Sequence, residues 1–219
     1  MTHQKTELKI PVGKVVVYGN LTIPTDCNGI VLFAHGSGSS RLSPRNQFVS
    51  KEFNKAKIGT LLFDLLTREE EERDMFTAEY RFDISLLAER LVEATKWLKE
   101  NPTAKNCFLG YFGASTGAAA ALIAAAKLPN DVVAIVSRGG RPDLAEGYLP
   151  MVKAPTLLLV GSLDTEVIEL NRRAMAQMTA KNKLQLIPGA THLFEEPGKL
   201  EEVAKASRDW FLSFFQSTQ

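Results

Sequence analysis

One five-residue stretch, Gly113-Ala114-Ser115-Thr116-Gly117, restricts what this chain can fold into more than any other. An apolar run, Cys107–Tyr111, precedes it and an alanine-rich run, Ala118–Lys127, follows. The first reads as a β-strand and the second as an α-helix. Glycines on either side of a serine at a strand-to-helix junction permit a sharp, strained turn that lifts the hydroxyl above the sheet. The helix then offers its unpaired N–H groups to a developing negative charge. A merely structural tight turn is the competing reading of G-x-S-x-G, and the flanking strand and helix argue for a nucleophile.

The order of elements around this turn fixes the fold class. Strand patterns occupy Val15–Ile23, Ile30–Ala34, Thr60–Leu65, Asp131–Ser137, Pro155–Val160 and Lys183–Ile187. Between Tyr80 and Glu100, Ile84, Leu87, Leu91, Ala94 and Leu98 recur at helical spacing, and Asn101-Pro102 stops the run. Val167–Met178 and Leu200–Phe215 are further helices. Alternating strands and helices predict an α/β protein with a mostly parallel sheet and helices on both faces. At 219 residues, a single domain over 1–219 is expected. The run Arg68–Asp74 reads as a solvated loop or helix start, with a lid or partner contact as the minor reading.

Composition excludes several function classes. A formal charge of +1, without a basic stripe, gives no reason to expect nucleic acid or an anionic membrane as partner. The polar start Met1–Glu7 lacks the apolar stretch of a secretory signal, and no apolar segment is long enough to span a bilayer. Cys27 and Cys107 are too few for a disulfide framework; Cys107 is expected to be a buried thiol and Cys27 an exposed one. A cytoplasmic protein is the expectation.

Two more places carry chemistry. His35-Gly36-Ser37-Gly38-Ser39-Ser40 follows a strand, and its backbone amides suit an oxyanion. A phosphate cradle fits poorly, because the P-loop ending is missing and Arg41 stands where a dinucleotide fingerprint needs a small residue. His35 reads as a brace for this loop. Asp164 and His192 each follow a late strand, so both fall at the carboxyl edge, where open α/β sheets bind ligands. The order Ser115, Asp164, His192 is that of α/β-hydrolases and of neither the trypsin-like nor the subtilisin-like arrangement. The Ser115 hydroxyl would attack, His192 would take its proton, and Asp164 would orient the imidazole.

Gly110–Gly117, Ser137–Asp143, His192–Pro197 and His35–Arg41 together resemble the α/β-hydrolase superfamily, within it the capless dienelactone-hydrolase-related family. The similarity extends from about Val15 to Phe215, with one departure: dienelactone hydrolases proper carry cysteine where Ser115 stands. The resemblance implies cleavage of small carboxylic esters or lactones, with no metal or other cofactor. It also implies that the N–H of Ser37 joins that of Thr116 in an oxyanion hole. Acyl transfer, perhydrolysis or C–C cleavage on the same triad, and a silent binding module, remain rival readings. The interval Arg138–Ala154 is too short for a large cap, so an open site favouring short acyl groups is expected. Phe112 and Phe194 are candidates for its apolar wall, the alternative being that both rings face the core. Arg41, Arg45, Arg138 and Arg141 lie near the site loops. Arg41 and Arg138 are candidates for a substrate carboxylate, against ion pairing that pins loops.

Overall fold

The computed structural model describes residues 7–216. The expectation for the N-terminal segment falls mainly on residues 1–6, outside the described residues. Eight strands form one sheet: β1 (Glu7–Val12), β2 (Val15–Thr22), β3 (Gly29–Ala34), β4 (Gly59–Phe63), β5 (Phe108–Ala114), β6 (Val132–Arg138), β7 (Thr156–Gly161) and β8 (Asn182–Ile187). Their spatial order is β1-β2-β4-β3-β5-β6-β7-β8. β2 runs antiparallel to both its neighbours, and every other pair from β4 onward is parallel.

Burial follows position in the sheet. β3, β4 and β7 are buried at every residue, as central parallel strands covered on both faces must be. β1, on the edge, alternates: Ile10 and Val12 are buried while Glu7, Lys9 and Pro11 are exposed.

The described residues form six α-helices: α1 (Pro44–Lys55), α2 (Arg68–Thr77), α3 (Ile84–Glu100), α4 (Thr116–Lys127), α5 (Thr165–Gln177) and α6 (Lys199–Phe214). α1 and α6 pack on one face over a core of Phe33, Phe53, Phe112, Phe194 and Phe211. α3 and α4 pack on the other. Every residue of α4 from Thr116 to Ala126 is buried. A helix apolar all round belongs in the interior, and its alanines let it lie close against the sheet. The interval after β6 holds a 3₁₀ segment, Pro142–Met151, so no cap domain is inserted there.

Both cysteines are half-buried, which corrects the expectation of one exposed and one buried thiol. The Cys27 thiol donates to the Gly29 carbonyl at 3.1 Å. Burial, reinforced by neighbouring Cys27, pushes the Cys107 thiol up to about 11. No helix among the described residues is long and apolar enough to cross a membrane.

Candidate active site

The turn after β5 puts Ser115 at φ 50°, ψ −122°, a left-handed conformation that costs a non-glycine residue about 1–3 kcal/mol. Close packing holds it there. A Cβ on Gly117 would lie 2.2 Å from the Ala34 carbonyl oxygen and 2.5 Å from that of His35, so only glycine lets α4 approach the end of β3. The Ser115 N–H donates to the Arg138 carbonyl at 3.3 Å, and its carbonyl accepts from Arg141 N–H at 3.1 Å. Between those two arginines, a Cβ built on Gly139 would lie 3.6 Å from His192 Cε1. The serine turn and the histidine therefore flank one short loop.

Asp164 occupies the N-cap of α5, a position where aspartate normally accepts a helix N–H. It makes no such bond. Its carboxylate accepts instead from His192 Nδ1 at 2.6 Å. The two loops meet because Gly161, at the end of β7, abuts the turn before His192: a Cβ there would stand 2.3 Å from the Ala190 carbonyl oxygen. With Nδ1 bonded to the carboxylate, Nε2 is the nitrogen left for proton transfer. Ser115, Asp164 and His192 thus sit at the carboxyl edge on the turns after β5, β7 and β8.

The loop after β3 is braced by His35. Leu65 N–H donates to His35 Nε2 at 3.0 Å, so Nε2 is the unprotonated nitrogen and Nδ1–H faces the Gly36 carbonyl at 3.0 Å. Burial holds this imidazole below its ordinary value, only partly opposed by the Gly36 carbonyl and Asp64. Ser37 N–H is not free: it donates to Thr116 Oγ1 at 2.9 Å.

A cavity of about 500 Å³ opens beside this loop, lined by His35–Ser40, Leu66 and Leu87 and by Arg68, Glu71, Asp74 and Met75 of α2. α2 begins with a capping box, in which Thr67 Oγ1 and the Glu70 carboxylate each bond the other residue's N–H. Glu70 also accepts from Arg90 at 2.7 Å. At the other end, Asp74 accepts from the N–H groups of Tyr80 and Arg81 and from Arg81 Nε. Burial pushes the Asp74 carboxyl up, but those bonds together hold it below its ordinary value. Glu71 faces the cavity, and burial followed by the charge of Asp64 raises its carboxyl above the usual range. The run Arg68–Asp74 is thus the start of a helix, as expected, and through Arg68, Glu71 and Asp74 it forms one wall of this cavity.

Three substrate-contact expectations, for Phe112, Phe194 and Arg41, are corrected. Phe112 and Phe194 are 0% and 1% exposed. Both belong to the aromatic core under α1 and α6 and not to the lining of this cavity, because sequence adjacency to a site residue does not fix which face a side chain takes. Arg41 is already paired, with Asp64 and, at 2.5 Å, with Glu7. Arg138 is buried and outside the cavity lining. Burial and the adjacent Arg45 lower its guanidinium to about 10. Arg45 pairs with Glu195 at 2.9 Å and Arg141 with Asp143 at 2.8 Å, so three of the four arginines pin loops.

Residues 51–218 match the dienelactone hydrolase family. The crystal structure of a dienelactone hydrolase from Anabaena variabilis superposes with a TM-score of 0.95 at 55% identity, covering 98% of this chain and all of that one. Est1E from Butyrivibrio proteoclasticus shares the fold, with a TM-score of 0.79 at 15% identity over 94% of this chain and 98% of that one. A Mycobacterium tuberculosis protein bearing a provisional phosphoribosyl transferase name is 55% identical over 206 residues, which are 94% of this chain and 46% of that protein. The chain spans about half the length of that relative.

Proposed function

Because the chain belongs to the dienelactone hydrolase family, we propose that it is a serine hydrolase that cleaves small carboxylic esters or lactones through an acyl-enzyme on Ser115. The observation that carries this reading is the Asp164 carboxylate, turned from capping α5 to bond His192 Nδ1 at 2.6 Å. Ser115 Oγ attacks the carbonyl carbon as His192 Nε2 takes its proton. Asp164 fixes the tautomer and stabilises the imidazolium. The carbon–oxygen bond to the leaving group then breaks, and His192 returns the proton to the departing oxygen. Water, deprotonated by the same imidazole, adds to the acyl carbon and releases the acid and free Ser115. The Thr116 N–H, at the first position of α4, supports the negative oxygen, beside the bonded Ser37–Thr116 pair.

The cavity beside the oxyanion loop is the natural place for the acyl group, with Leu66, Met75 and Leu87 as its apolar contacts. Glu71, Glu72 and Asp74 line it together with Arg68 and Arg81, so its polar lining carries both signs of charge. The phosphoribosyl transferase name attaches to a protein of which more than half lies outside the part aligned here. It gives no reason to assign transfer chemistry to this chain.

The test is covalent. A fluorophosphonate labels wild type at Ser115, and Ser115→Ala removes both the label and turnover of p-nitrophenyl butyrate by several orders of magnitude while the fold persists. A label mapping to another serine overturns the assignment.

A further inference from the structure

Thr116 is 4% exposed and immediately follows Ser115. Its hydroxyl has one proton to donate and two lone pairs to accept with. Ser37 N–H, from a segment 79 residues away, occupies a lone pair at 2.9 Å. The proton has no acceptor among the described residues. Of the other buried hydroxyls, Thr95, Thr156 and Ser207 each donate to a backbone carbonyl, at 2.7, 3.1 and 2.7 Å, whereas Ser43 and Thr67 only accept and Ser137 Oγ has no partner among the described residues. Interiors rarely leave a polar hydrogen without a partner, so an unmatched one beside a nucleophile calls for an explanation. A Cβ built on Gly36 would lie 3.1 Å from Ser115 Cβ, so the loop carrying Ser37 touches the serine turn itself.

We infer that the Thr116 hydroxyl is itself an oxyanion donor: it accepts the Ser37 amide's hydrogen bond and donates one of its own to the substrate carbonyl oxygen as that oxygen becomes negative. Ser37 then acts through Thr116, not directly, and its N–H polarises the hydroxyl as the preceding link of a hydrogen-bonded chain. One residue brings two donors, backbone and side chain. No bond beyond those of ester cleavage forms or breaks, because the hydroxyl keeps its proton throughout. The inference rests on Ser115 being the nucleophile.

The test compares Thr116→Val, which keeps the shape and removes the hydroxyl, with Thr116→Ser, which keeps the hydroxyl. Loss of an oxyanion donor costs about 10²–10³ in kcat. Thr116→Val should therefore lower kcat for p-nitrophenyl butyrate by about that factor with KM within threefold, and weaken a trifluoromethyl ketone inhibitor in parallel. Thr116→Ser should stay within about fivefold of wild type. If Thr116→Val retains wild-type kcat or exceeds it, the Ser37 amide acts directly and the inference falls. It falls equally if Thr116→Ser drops as far as Thr116→Val, because packing is then the cause. Should Thr116→Val fail to give a folded circular dichroism spectrum, Thr116→Ala replaces it, and a kcat within tenfold of wild type overturns the inference. Fluorophosphonate labelling separates the two proposals: an unlabelled wild-type Ser115 removes both, whereas a labelled wild type with an undiminished Thr116→Val removes this one alone.

Discussion

The serine turn and helix α2 both lie against the loop after β3 and are held by opposite means. At the turn, backbone meets backbone: Gly117 lies against the carbonyls of Ala34 and His35, α4 is buried from Thr116 to Ala126, and Ser115 is held at φ 50°. At α2 the contacts are polar and separate: a capping box, Glu70 with Arg90, Asp74 with Arg81. α2 leaves Met75 and Phe76 exposed and buries only Asp74 among its side chains. Van der Waals contact without slack fixes position to a fraction of an ångström and admits no extra atom. Charge-assisted bonds hold an element firmly yet can be removed one at a time. The turn is therefore the part that tolerates least change, and α2 the part that can change without displacing Ser115.

Gly117→Ala tests the first half of that contrast and carries the largest effect. The added methyl meets two carbonyl oxygens at 2.2 and 2.5 Å, so α4 must move away from β3. Activity should fall at least ~10³-fold, and stability by roughly 3 kcal/mol, about 9 °C in Tm. Melting at the wild-type temperature with full activity would break the comparison.

Asp74→Asn tests the second half. Replacing the charged partner of Arg81 should raise KM for p-nitrophenyl butyrate about fivefold, hold kcat within about twofold, and lower stability by roughly 1 kcal/mol. A kcat loss as deep as that of Gly117→Ala would put α2 in the same class as the turn. The lowered carboxyl of Asp74 also has a pH signature: its contribution is present above 3.8 and is lost as pH falls through the lower folded-state value.

An acyl-chain series sharpens the reading of α2 as a wall. Each methylene buried in the cavity contributes up to ~0.8 kcal/mol, or about fourfold in kcat/KM. Steady-state rates should rise from acetate to butyrate or hexanoate and decline by decanoate, and Met75→Ala should flatten the rise. An optimum at acetate in wild type would mean that α2 contributes no contact.

The smallest effect belongs to His35. Its folded-state pKa lies below the ordinary 6.5, so the unfolded chain binds the extra proton first. Its contribution to stability is complete above about 6.5 and declines as pH falls from there toward the lowered value. Urea midpoints at pH 7.5 and 5.5 should differ more for wild type than for His35→Gln, whose side-chain oxygen can still accept from Leu65 N–H. Equal differences would remove His35 as the source.

Much of the frame is legible in the chain. Continuous apolar runs mark β3, β4 and β7 because both faces are covered, and a strict helical spacing marks α3. The site turns follow because each lies after such a strand. α1 is not legible: it is polar on average, and two of its four buried positions are the polar Asn46 and Ser50, which leaves Val49 and Phe53 as a lone apolar pair at helical spacing. α2 hides behind its acidic run, although Thr67 and Glu70 form a capping signature that spacing alone reveals. The arginines fail for a different reason. Whether Arg41 is free depends on Asp64 and Glu7, which only the folded sheet brings beside it. Phe112 likewise points into the core because of its place in the pleat of β5 against Phe33 and Phe53, which adjacency to the serine turn does not encode.

The first turn of α5 shows what selection has weighed against what. An aspartate in the capping position ordinarily contributes about 1 kcal/mol to a helix. Asp164 forgoes that, leaving the end of α5 without a side-chain cap while its carboxylate orients His192. Seen by a thermometer alone, position 164 looks improvable: a serine there, no longer drawn to the imidazole, suits the cap better. Under the proposed mechanism, a thermostability screen blind to turnover would therefore enrich inactive variants at this position, and directed evolution of this scaffold needs an activity filter at every round.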